Sequence, residues 1–531
     1  MKRDYFIYIT AFFCGMSIMA VELAASRLLS TTFSSSTPVW TVVIGLIMAF
    51  LSIGNVIGGR LADKYNSKDK LYSLIWLAGL WIAVIPLIGK YVMDLMVIAL
   101  MWVFPQNLVV SGSAVSCLIL FSLPLILLGI AVPYLVKLGV QNIDDNGKIT
   151  GEIYAMSTIG SIIGTFIPTF LTIPVIGTSK TFFLFALILN LICLYYFVTA
   201  KTKVLRTAFS TLVIVVLLFA PLNDSYAFWK DNIIFEGESQ YNYLQVAENR
   251  DSVMLSTNVA FGVQSIYQKD KSLTGLYYDY TLMAPFFIKD TDFAKPMDAL
   301  ILGMGTGTFA KQARYYFPAI KTEGVEIDPA IARLAKKYFD LTDEDARVYI
   351  NDGRTFLKTS DAKMYDLIMV DAYRDITFPF NMSTHEFFTE VKKHLKPGGV
   401  MVVNINLHGS EHPDVADYLN QTIKSVMKKV YRLETPGGSI IVFASNDVDC
   451  LKNYRSNIGV LDNSPLTYIS LYVDSHLTEI DRSEYVFTDD IAPVELLGQK
   501  ALDETVFNEM AYVKDQLKSS DKGIWGIFDL L

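Results

Sequence analysis

The chain has little charge and few cysteines. Only 18% of its 531 residues are Asp, Glu, Lys or Arg, while 52% are hydrophobic, a composition too apolar for an ordinary soluble enzyme. The formal charge of −8 gives no support to nucleic-acid binding, which requires clustered positive charge. No internal repeat or low-complexity tract is present. The cysteines lack metal-ligand spacing, so we expect neither a metal site nor a disulfide framework; they are Cys14, Cys117, Cys193 and Cys450.

Long apolar runs are concentrated before about residue 222, which predicts a transmembrane domain over 1–221 and soluble regions after it. A helix that spans a bilayer needs about 20 mostly apolar residues, so we expect about six to eight helices. The segment 92–104 is apolar but short and favours a helix between spans, while 206–221 is a short candidate for a seventh span. The full-length candidates are 5–29, 39–59, 71–89, 111–136, 151–174 and 180–199.

Small residues recur inside these predicted spans. Glycines four residues apart at 54–58 and at 160–164 predict helices whose backbones approach closely. The segment 58–64 (GGRLADK) resembles the loop between the second and third helices of major facilitator transporters. Only half a transporter's worth of helices is present, so the likeness is to half of such a transporter.

One acidic residue lies within the first predicted span. Glu22 is surrounded in the sequence by apolar residues, and a carboxylate in that position is costly and usually faces a partner or a cavity. A structural pair with Arg27 or Arg60 is one interpretation, and a role in transport is the other. Both remain open.

The rest of the chain predicts two soluble regions. Short alternating runs within 222–295 indicate strands of a small β region. From Asp298 onward, strands alternate with helical stretches, which indicates βαβ units and a parallel sheet in a domain over 296–531. A closing hairpin over 431–445 turns at 436–438 (PGG). Helices are predicted at 308–317, 329–339, 384–395 and 411–429.

Glycine or acidic residues end four successive predicted strands. The carboxyl ends of parallel strands meet at one edge of an open α/β sheet, so this pattern predicts a site for a nucleoside-like ligand. Gly303 and Gly305 allow a tight turn and a close approach of backbone to ligand. Glu326, about 20 residues further on, is placed to accept hydrogen bonds from the ribose hydroxyls. The strand ends are 300–307 (LILGMGTG), 324–328 (GVEID), 348–353 (VYINDG) and 367–373 (LIMVDAY).

The last two of these strand ends have a structural interpretation beside the functional one. Asp352 with Gly353 fits recognition of the exocyclic amine of adenine, but the dipeptide Asp-Gly also forms turns. Asp371 fits orientation or deprotonation of an attacking amine, but it also fits a helix cap. The residue pattern alone leaves both alternatives open.

With these motifs the chain resembles spermidine synthase, a polyamine aminopropyltransferase, and in particular the members of that family that are fused to a membrane domain. The resemblance implies a multi-pass α-helical membrane domain, then a small β region and an α/β Rossmann-like fold. That fold is the one of S-adenosylmethionine-dependent enzymes, with a seven-stranded sheet. The stretches that carry the resemblance are 238–246 (ESQYNYLQV), 277–279 (YYD), 325–329 (VEIDP), 351–354 (NDGR), 365–371 (YDLIMVD), 384–388 (THEFF) and 488–495 (TDDIAPVE).

The resemblance implies transfer of an aminopropyl group from decarboxylated S-adenosylmethionine to putrescine or a related amine, with release of methylthioadenosine. Asp371 matches the family's proton acceptor. A lipid bilayer is the other expected partner, and no metal is required. The implied donor-binding residues are Asn242, Gly303, Gly305, Thr306, Glu326, Asp352 and Gly353, and the implied amine-binding residues are Tyr278, Asp279, Asp375 and Pro379.

Departures from the family pattern fall on residues that the family uses to bind the amine substrate. Thr306 stands where the family usually has an acid, and Tyr278 stands where it has a histidine. Asp375 matches the second acid of the catalytic loop only if one residue is inserted. A methyltransferase that uses intact S-adenosylmethionine therefore remains an alternative, as does a transporter or sensor that binds polyamine or nucleoside without turnover. The acceptor amine and the oligomeric state stay open, with a homodimer among the options.

Basic residues in short loops indicate an orientation in the cell (inner) membrane. They put the amino terminus, the 60–70 loop and 201–206 in the cytoplasm. A full crossing by 206–221 would then put the catalytic domain outside, although its donor is made in the cytosol. We therefore expect a cytoplasmic catalytic domain, with 206–221 crossing incompletely or 92–104 crossing against the rule.

Overall fold

The computed structural model divides into two units, which are described separately. The membrane unit comprises Met1–Phe228 and Gly237–Tyr243, and the sheet unit comprises Trp229–Glu236 and Leu244–Leu531. The residues that the structure describes are 4–33, 35–103, 107–140, 146–221, 225–227, 232–257, 263–360, 363–372, 378–406, 413–461, 464–504 and 507.

Among the described residues, six helical stretches of the membrane unit are long and apolar enough to cross a membrane, as the sequence predicts. The third runs without a break from Lys68 to Val103, so the prediction of a separate helix at 92–104 is wrong. Pro86 lies inside this helix and does not end it, since a spanning helix tolerates proline where neighbouring helices and local adjustments satisfy the freed backbone groups. The helices are α1 (Tyr5–Phe33), α2 (Thr37–Tyr65), α3 (Lys68–Val103), α4 (Leu108–Gly139), α5 (Asn146–Ile167), a π-helix (Pro168–Thr172), α6 (Ile173–Ile176), α7 (Thr178–Ala200) and the shorter α8 (Val204–Phe219).

Both glycine motifs are helix contacts, which confirms the predicted close packing. A Cβ atom on Gly54 would lie 2.3 Å from a backbone oxygen of α4, and one on Gly58 would lie 2.7 Å from another. On Gly160 and Gly164 it would lie 1.9 Å and 2.1 Å from backbone oxygens of α1. Any side chain at these positions would force the helices apart.

Arg27 of α1 is held by residues other than Glu22. Its Nε lies 3.6 Å from the Glu238 carboxylate, and its guanidinium donates to the backbone oxygens of Ser239 and Tyr241. Glu238 also accepts from the backbone N–H of Thr178 at 2.7 Å and from its hydroxyl at 2.6 Å. The loop 237–243 is thereby tied to α1 and to the start of α7.

The contacts of α8 show which ends of the membrane unit it joins. Just before α8 begins, Lys203 pairs with Asp69 at the start of α3 at 2.7 Å. Beyond its end, the Tyr226 hydroxyl lies 3.2 Å from that of Ser179, at the start of α7. Since α7 has 23 residues and a helix rises about 1.5 Å per residue, α8 and the residues after it return along the length of α7.

The described residues of the sheet unit form two sheets. A four-stranded sheet has the order β1-β2-β3-β4, and an eight-stranded sheet has the order β12-β10-β11-β9-β8-β5-β6-β7. Strands β5 to β9 are parallel, while β10, β11 and β12 are antiparallel. The strands are β1 (Ile233–Glu238), β2 (Tyr243–Glu248), β3 (Ser252–Ser256), β4 (Ser265–Gln268), β5 (Met297–Leu302), β6 (Ile320–Glu326), β7 (Arg347–Ile350), β8 (Tyr365–Val370), β9 (Leu395–Ile405), β10 (Lys429–Glu434), β11 (Ile440–Ser445) and β12 (Thr478–Glu479).

This arrangement confirms the predicted α/β fold with a small β region before it. Seven strands of the large sheet were predicted, and the two-residue β12 adds an eighth at its edge. The hairpin between β10 and β11 turns as predicted at 436–438, where Gly438 has a φ of +81°.

Helices connect the parallel strands, and several start at side-chain caps. Asp328, Asp352, Thr384 and Asp414 each accept a hydrogen bond from a backbone N–H in the first turn of the following helix, which satisfies an otherwise free donor. The four predicted helices are confirmed as α10, α11, α13 and α14, while the others were not predicted. The helices are α9 (Tyr277–Thr281), α10 (Thr308–Tyr316), α11 (Pro329–Tyr338), α12 (Gly353–Thr359), α13 (His385–Lys393), α14 (Val415–Val426), α15 (Cys450–Asn457) and α16 (Leu466–His476), with 3-10 turns at Ala284–Phe287, Phe380–Met382 and Ile458–Val460.

Candidate active site

The turn after β5 needs glycine at each of its three glycine positions. Gly303, Gly305 and Gly307 have φ of +86°, +58° and +87°, a region that other residues rarely adopt. A Cβ atom on Gly303 would also lie 2.4 Å from the backbone oxygen of Asp371. The turn can therefore lie directly against the end of β8, and it leaves backbone accessible at the carboxyl edge of the sheet.

Glu326 ends β6 beside this turn. One carboxylate oxygen accepts from the N–H of Gly305 at 2.9 Å, and the other accepts from the N–H of Asp328 at 2.9 Å. The residue is only 6% exposed. Burial raises the pKa of Glu326 to about 7, and the backbone hydrogen bonds oppose that rise. The structure thus puts a fixed hydrogen-bond acceptor where the sequence predicts ribose recognition.

Asp352 and Gly353 lie between β7 and α12. One oxygen of Asp352 caps α12 by accepting from the N–H of Thr355 at 2.8 Å, and the other accepts from the Asn381 side chain at 3.4 Å. The structural alternative, a local turn or cap, therefore applies to Asp352. Gly353 is buried, and a Cβ there would lie 3.0 Å from Met382.

Asp371 follows β8 and has two side-chain hydrogen bonds. The Tyr277 hydroxyl donates to Oδ2 at 2.7 Å, and Asn404 Nδ2 donates to Oδ1 at 3.0 Å. Removal from water raises the pKa of Asp371 to about 6, and the bonds from Asn404 and Tyr277 lower it. Asp371 caps no helix in the described residues, where the chain after β8 is defined only to Ala372. This carboxylate is fixed in orientation and can accept a proton.

Sequence reasoning missed Tyr277 and Asn404. Tyr277 precedes Tyr278, the residue matched to the family's histidine, and lies in a helix of five residues. Asn404 is near the carboxyl end of β9, so the strand-end pattern that found Glu326 and Asp371 extends to it and could have identified it.

Tyr278 and Asp279 form hydrogen bonds with groups other than Asp371. The Tyr278 hydroxyl donates to the backbone oxygen of Gln264 at 2.8 Å. Asp279 is buried and accepts from Thr274, from the N–H of Gly275 at 2.7 Å and from Gln312 at 2.9 Å. These bonds give Asp279 a structural role, and its assignment to amine binding stays a prediction.

Thr306, the main departure from the family pattern, lies within the glycine turn. It is 1% exposed, and its N–H donates to the Ser265 hydroxyl at 3.2 Å. Its own hydroxyl oxygen has no hydrogen-bond partner among the residues that the structure describes. A buried hydroxyl without a partner is costly, so this atom is available to a ligand.

Three other predicted residues are placed elsewhere or lie outside the described residues. Pro379 precedes a 3-10 turn, and its oxygen accepts from the N–H of Met382 at 3.0 Å. Asn242 belongs to the membrane unit, where its N–H donates to the Ser239 hydroxyl at 2.9 Å. Asp375 lies outside the described residues. Within the described ranges, no group of three or more His, Cys, Asp or Glu is arranged to hold a metal ion.

The stretch 488–495 contacts a helix of the site through an ion pair. Arg354, in the first turn of α12, donates to both oxygens of Asp489 at 2.8 Å and 2.6 Å. The Thr384 hydroxyl donates to the same carboxylate at 2.7 Å. This pair raises the pKa of Arg354 and lowers that of Asp489. A bidentate arrangement of this kind fixes geometry, so the stretch braces α12 next to Asp352.

The sheet order and the acidic residues at its strand ends define an α/β fold with a candidate ligand site at the carboxyl edge of the sheet. A family model for the spermine/spermidine synthase domain matches residues 284–447. The chain is 39% identical over 352 residues to a probable polyamine aminopropyl transferase of Bifidobacterium longum (strain NCC 2705), covering 63% of this chain and 77% of that one. The chain therefore belongs to the polyamine aminopropyltransferase family, as predicted.

Two further comparisons match less than half of this chain each. A polyamine aminopropyltransferase of Vibrio vulnificus (strain CMCP6) is 29% identical over 230 residues, covering 42% of this chain and 75% of that one. The crystal structure of a probable spermidine synthase from Corynebacterium glutamicum ATCC 13032 matches with 18% identity and a TM-score of 0.37, covering 49% of this chain and 97% of that one.

Proposed function

We propose that the sheet unit transfers the aminopropyl group of decarboxylated S-adenosylmethionine to putrescine or a related amine and releases methylthioadenosine. The observation that carries this proposal is the environment of Asp371. It is a carboxylate with a pKa of about 6, oriented by Tyr277 and Asn404, and it follows a strand whose end contacts the glycine turn.

The chemistry needs one proton acceptor. The nitrogen of a neutral amine attacks the aminopropyl carbon that is bonded to the sulfonium. As the C–N bond forms, the C–S bond breaks and sulfur keeps the electron pair. The amine proton passes to Asp371, which is ionised at neutral pH because its pKa is about 6. Tyr277 donates to the oxygen Oδ2, which leaves the remaining lone pairs of the carboxylate for the amine.

The donor is proposed to bind along the carboxyl edge of the large sheet. Glu326 accepts from the ribose hydroxyls, and the adenine amine is recognised at Asp352 and Gly353. The fixed backbone contacts of Glu326 support its role, and the role of Asp352 and Gly353 rests on the family resemblance. The glycines of the turn allow the close approach of the ligand, and Thr306 offers a hydroxyl that is otherwise unpartnered among the described residues. The other residues proposed for the two substrates are Asn242, Tyr278, Asp279, Asp375 and Pro379.

Intact S-adenosylmethionine as methyl donor is the second candidate, and Thr306 favours it. An acid at this position would repel the donor carboxylate, whereas a neutral hydroxyl can donate to it. Transfer of a methyl group would then produce S-adenosylhomocysteine in place of methylthioadenosine. The two donors are therefore distinguished by their nucleoside products.

The test is incubation of the purified full-length protein with each donor and a panel of amines, followed by mass spectrometry of the products. Methylthioadenosine formed only from the decarboxylated donor is the expected result. Asp371→Asn should lower kcat by about 10²- to 10⁴-fold, the usual contribution of a positioned base. Asp366→Asn is the matched control, because Asp366 starts the same strand and pairs with Lys396 at 2.8 Å. Equal activity of Asp371→Asn and wild type would refute the proposal.

For the orientation, we propose that α8 is a seventh crossing. The contacts of Lys203 with Asp69 and of Tyr226 with Ser179 support a return along α7. A seventh crossing puts the chain after α8 outside the cytoplasm when the basic loops follow the positive-inside rule, which conflicts with a donor made in the cytosol. The cytoplasmic catalytic domain expected from the sequence is the competing outcome.

Cysteine labelling can decide between these orientations, because all four native cysteines are buried. Asp343, in the sheet unit, is 83% exposed at its side chain, and Asp63, at the end of α2, is 71% exposed. A membrane-impermeant maleimide on intact cells should label Asp343→Cys, and it should label Asp63→Cys only after permeabilisation. The reverse pattern would establish a cytoplasmic sheet unit.

A further inference from the structure

Glu22 lies near the middle of α1, a helix long and apolar enough to cross the membrane. It is only 9% exposed. Among the residues that the structure describes, Glu22 forms no ion pair and accepts no hydrogen bond. Arg27 is held by Glu238 and two backbone oxygens, and Arg60 is exposed. The structural interpretation of Glu22 therefore lacks its partner in the described part of the chain.

A second polar group without a partner lies on the helix that faces α1. A Cβ on Gly112 of α4 would lie 2.4 Å from the ring of Phe33, so this face of α4 packs on α1. Ser116 is one turn further along the same face. It is fully buried, and within the described ranges its hydroxyl has no hydrogen-bond partner.

Glu22 is on the same stripe of α1 as Phe33, since 11 residues make about three helical turns. A carboxylate and a hydroxyl that both lack partners among the described residues therefore border the seam between α1 and α4.

The other flank of α1 contains an irregular element. Gly160 and Gly164 bring α5 into backbone contact with α1, and α5 then passes into the π-helix Pro168–Thr172, which also packs against α1. Single π-helical turns interrupt the regular hydrogen-bond ladder and are frequent at functional sites. The α1–α5 contact is thus tight at Phe12 and Met16, which precede Glu22 in the chain, and the irregular element follows this contact.

We propose that Glu22 forms a binding site for a protonated amine inside the membrane unit. A carboxylate with no partner is unfavourable in a bilayer, and an ammonium group neutralises it with charge-assisted hydrogen bonds. The Ser116 hydroxyl provides an acceptor for further N–H groups of an elongated amine. The choice of an amine over a metal cation rests on the amine-directed chemistry proposed for the sheet unit, whereas the site itself does not involve Asp371.

The test uses the full-length protein in nanodiscs of phosphatidylcholine, without any donor. Binding of radiolabelled spermidine and putrescine is measured by equilibrium dialysis. Glu22→Gln should weaken amine binding by about ten-fold or more, since bonds to charged groups contribute ~1.5–3 kcal/mol. Glu152→Gln is the matched control, because Glu152 is also a carboxylate of the membrane unit but accepts from the Tyr8 hydroxyl at 2.9 Å. Its binding should equal that of the wild type.

A wild-type measurement covers the case in which Glu22→Gln does not fold. A hydrophobic carbodiimide modifies protonated carboxyl groups within membranes, and spermidine should slow its reaction at Glu22, followed by peptide mass spectrometry. Identical isotherms for Glu22→Gln and wild type, or identical modification rates with and without spermidine, would overturn the proposal. Sodium binding that depends on Glu22 without any amine effect would overturn it as well. Product formation by the same proteins, in separate reactions that contain donor and amine, tests the sheet unit.

Discussion

Glu326 should make the ligand-free protein less stable at high pH, although it is expected to be essential for donor binding. Burial raises its pKa from the ordinary value of 4.5 to about 7. Between these two pH values the folded chain holds a proton that the unfolded chain has released. Stability therefore falls as the pH rises through this window.

The size of this effect follows from the pKa difference. At ~1.36 kcal/mol per pKa unit, the change from 4.5 to about 7 corresponds to about 3 kcal/mol. Most of it falls between pH 5 and pH 8. The substitution Glu326→Gln keeps an oxygen acceptor for the Gly305 N–H but does not titrate, so the variant escapes this loss. Relative to wild type it should gain about 2 to 3 kcal/mol between pH 5 and pH 8.

Thermal unfolding of the intact protein in nanodiscs measures this difference. In a domain of this size, 2 to 3 kcal/mol corresponds to roughly 4–12 °C in Tm. Other titrating groups contribute equally to both proteins and cancel in the comparison. Addition of donor should stabilise the wild type and have no effect on the variant. Parallel Tm curves for wild type and Glu326→Gln from pH 5 to pH 8 would refute the reasoning.

Substitutions test three further contacts. Tyr277→Phe removes the 2.7 Å bond to Asp371, so the pKa of Asp371 should rise and the acid limb of the kcat profile should move up by about one pH unit; an unmoved limb contradicts this. Gly303→Ala should cost ~2–4 kcal/mol in unfolding free energy because it combines backbone strain with a 2.4 Å clash. Gly438→Ala, with φ of +81° and open space, should cost only the strain, and equal losses would exclude the clash. Arg27→Gln leaves a buried carboxylate without its cation and should cost ~3–5 kcal/mol; hydrogen exchange in the loop that it holds should rise, and unchanged exchange argues against the brace.

The parts of the site that could be predicted from sequence lie at strand ends. β5, β6 and β8 are short buried runs with clear limits, and parallel pairing brings their carboxyl ends to one edge whatever the details of packing. Glu326 and Asp371 are therefore found at that edge as expected. The same rule extends to Asn404 in β9, which was overlooked because its strand continues in apolar and amide residues without an acidic end.

The parts that could not be predicted depend on long-range packing or on weak local signals. Tyr277 reaches Asp371 across 94 residues of sequence, and its helix has only five residues, too few to show a helical period. The continuation of α3 beyond Pro86 depends on neighbouring helices and adjustments that satisfy the freed backbone groups, not on the local residues. The four hydrogen bonds that the Asp279 carboxylate accepts within the fold could not be predicted either, because the Gln312 donor lies 33 residues away in the sequence, and amine binding by Asp279 stays a prediction.

Glu22 and Glu238, two carboxylates of the membrane unit, have opposite environments, and the contrast limits what Glu22 can be. Glu238 has Arg27 at 3.6 Å and two hydrogen bonds from Thr178, which is how a structural carboxylate is compensated. Arg27 and Glu22 are both in α1, five residues apart. Arg27 nevertheless binds Glu238 and the loop 237–243, and it does not pair with Glu22. Among the described residues no cation compensates Glu22 in turn. A proton or an external cation must do so, and an amine is the cation whose chemistry the sheet unit shares.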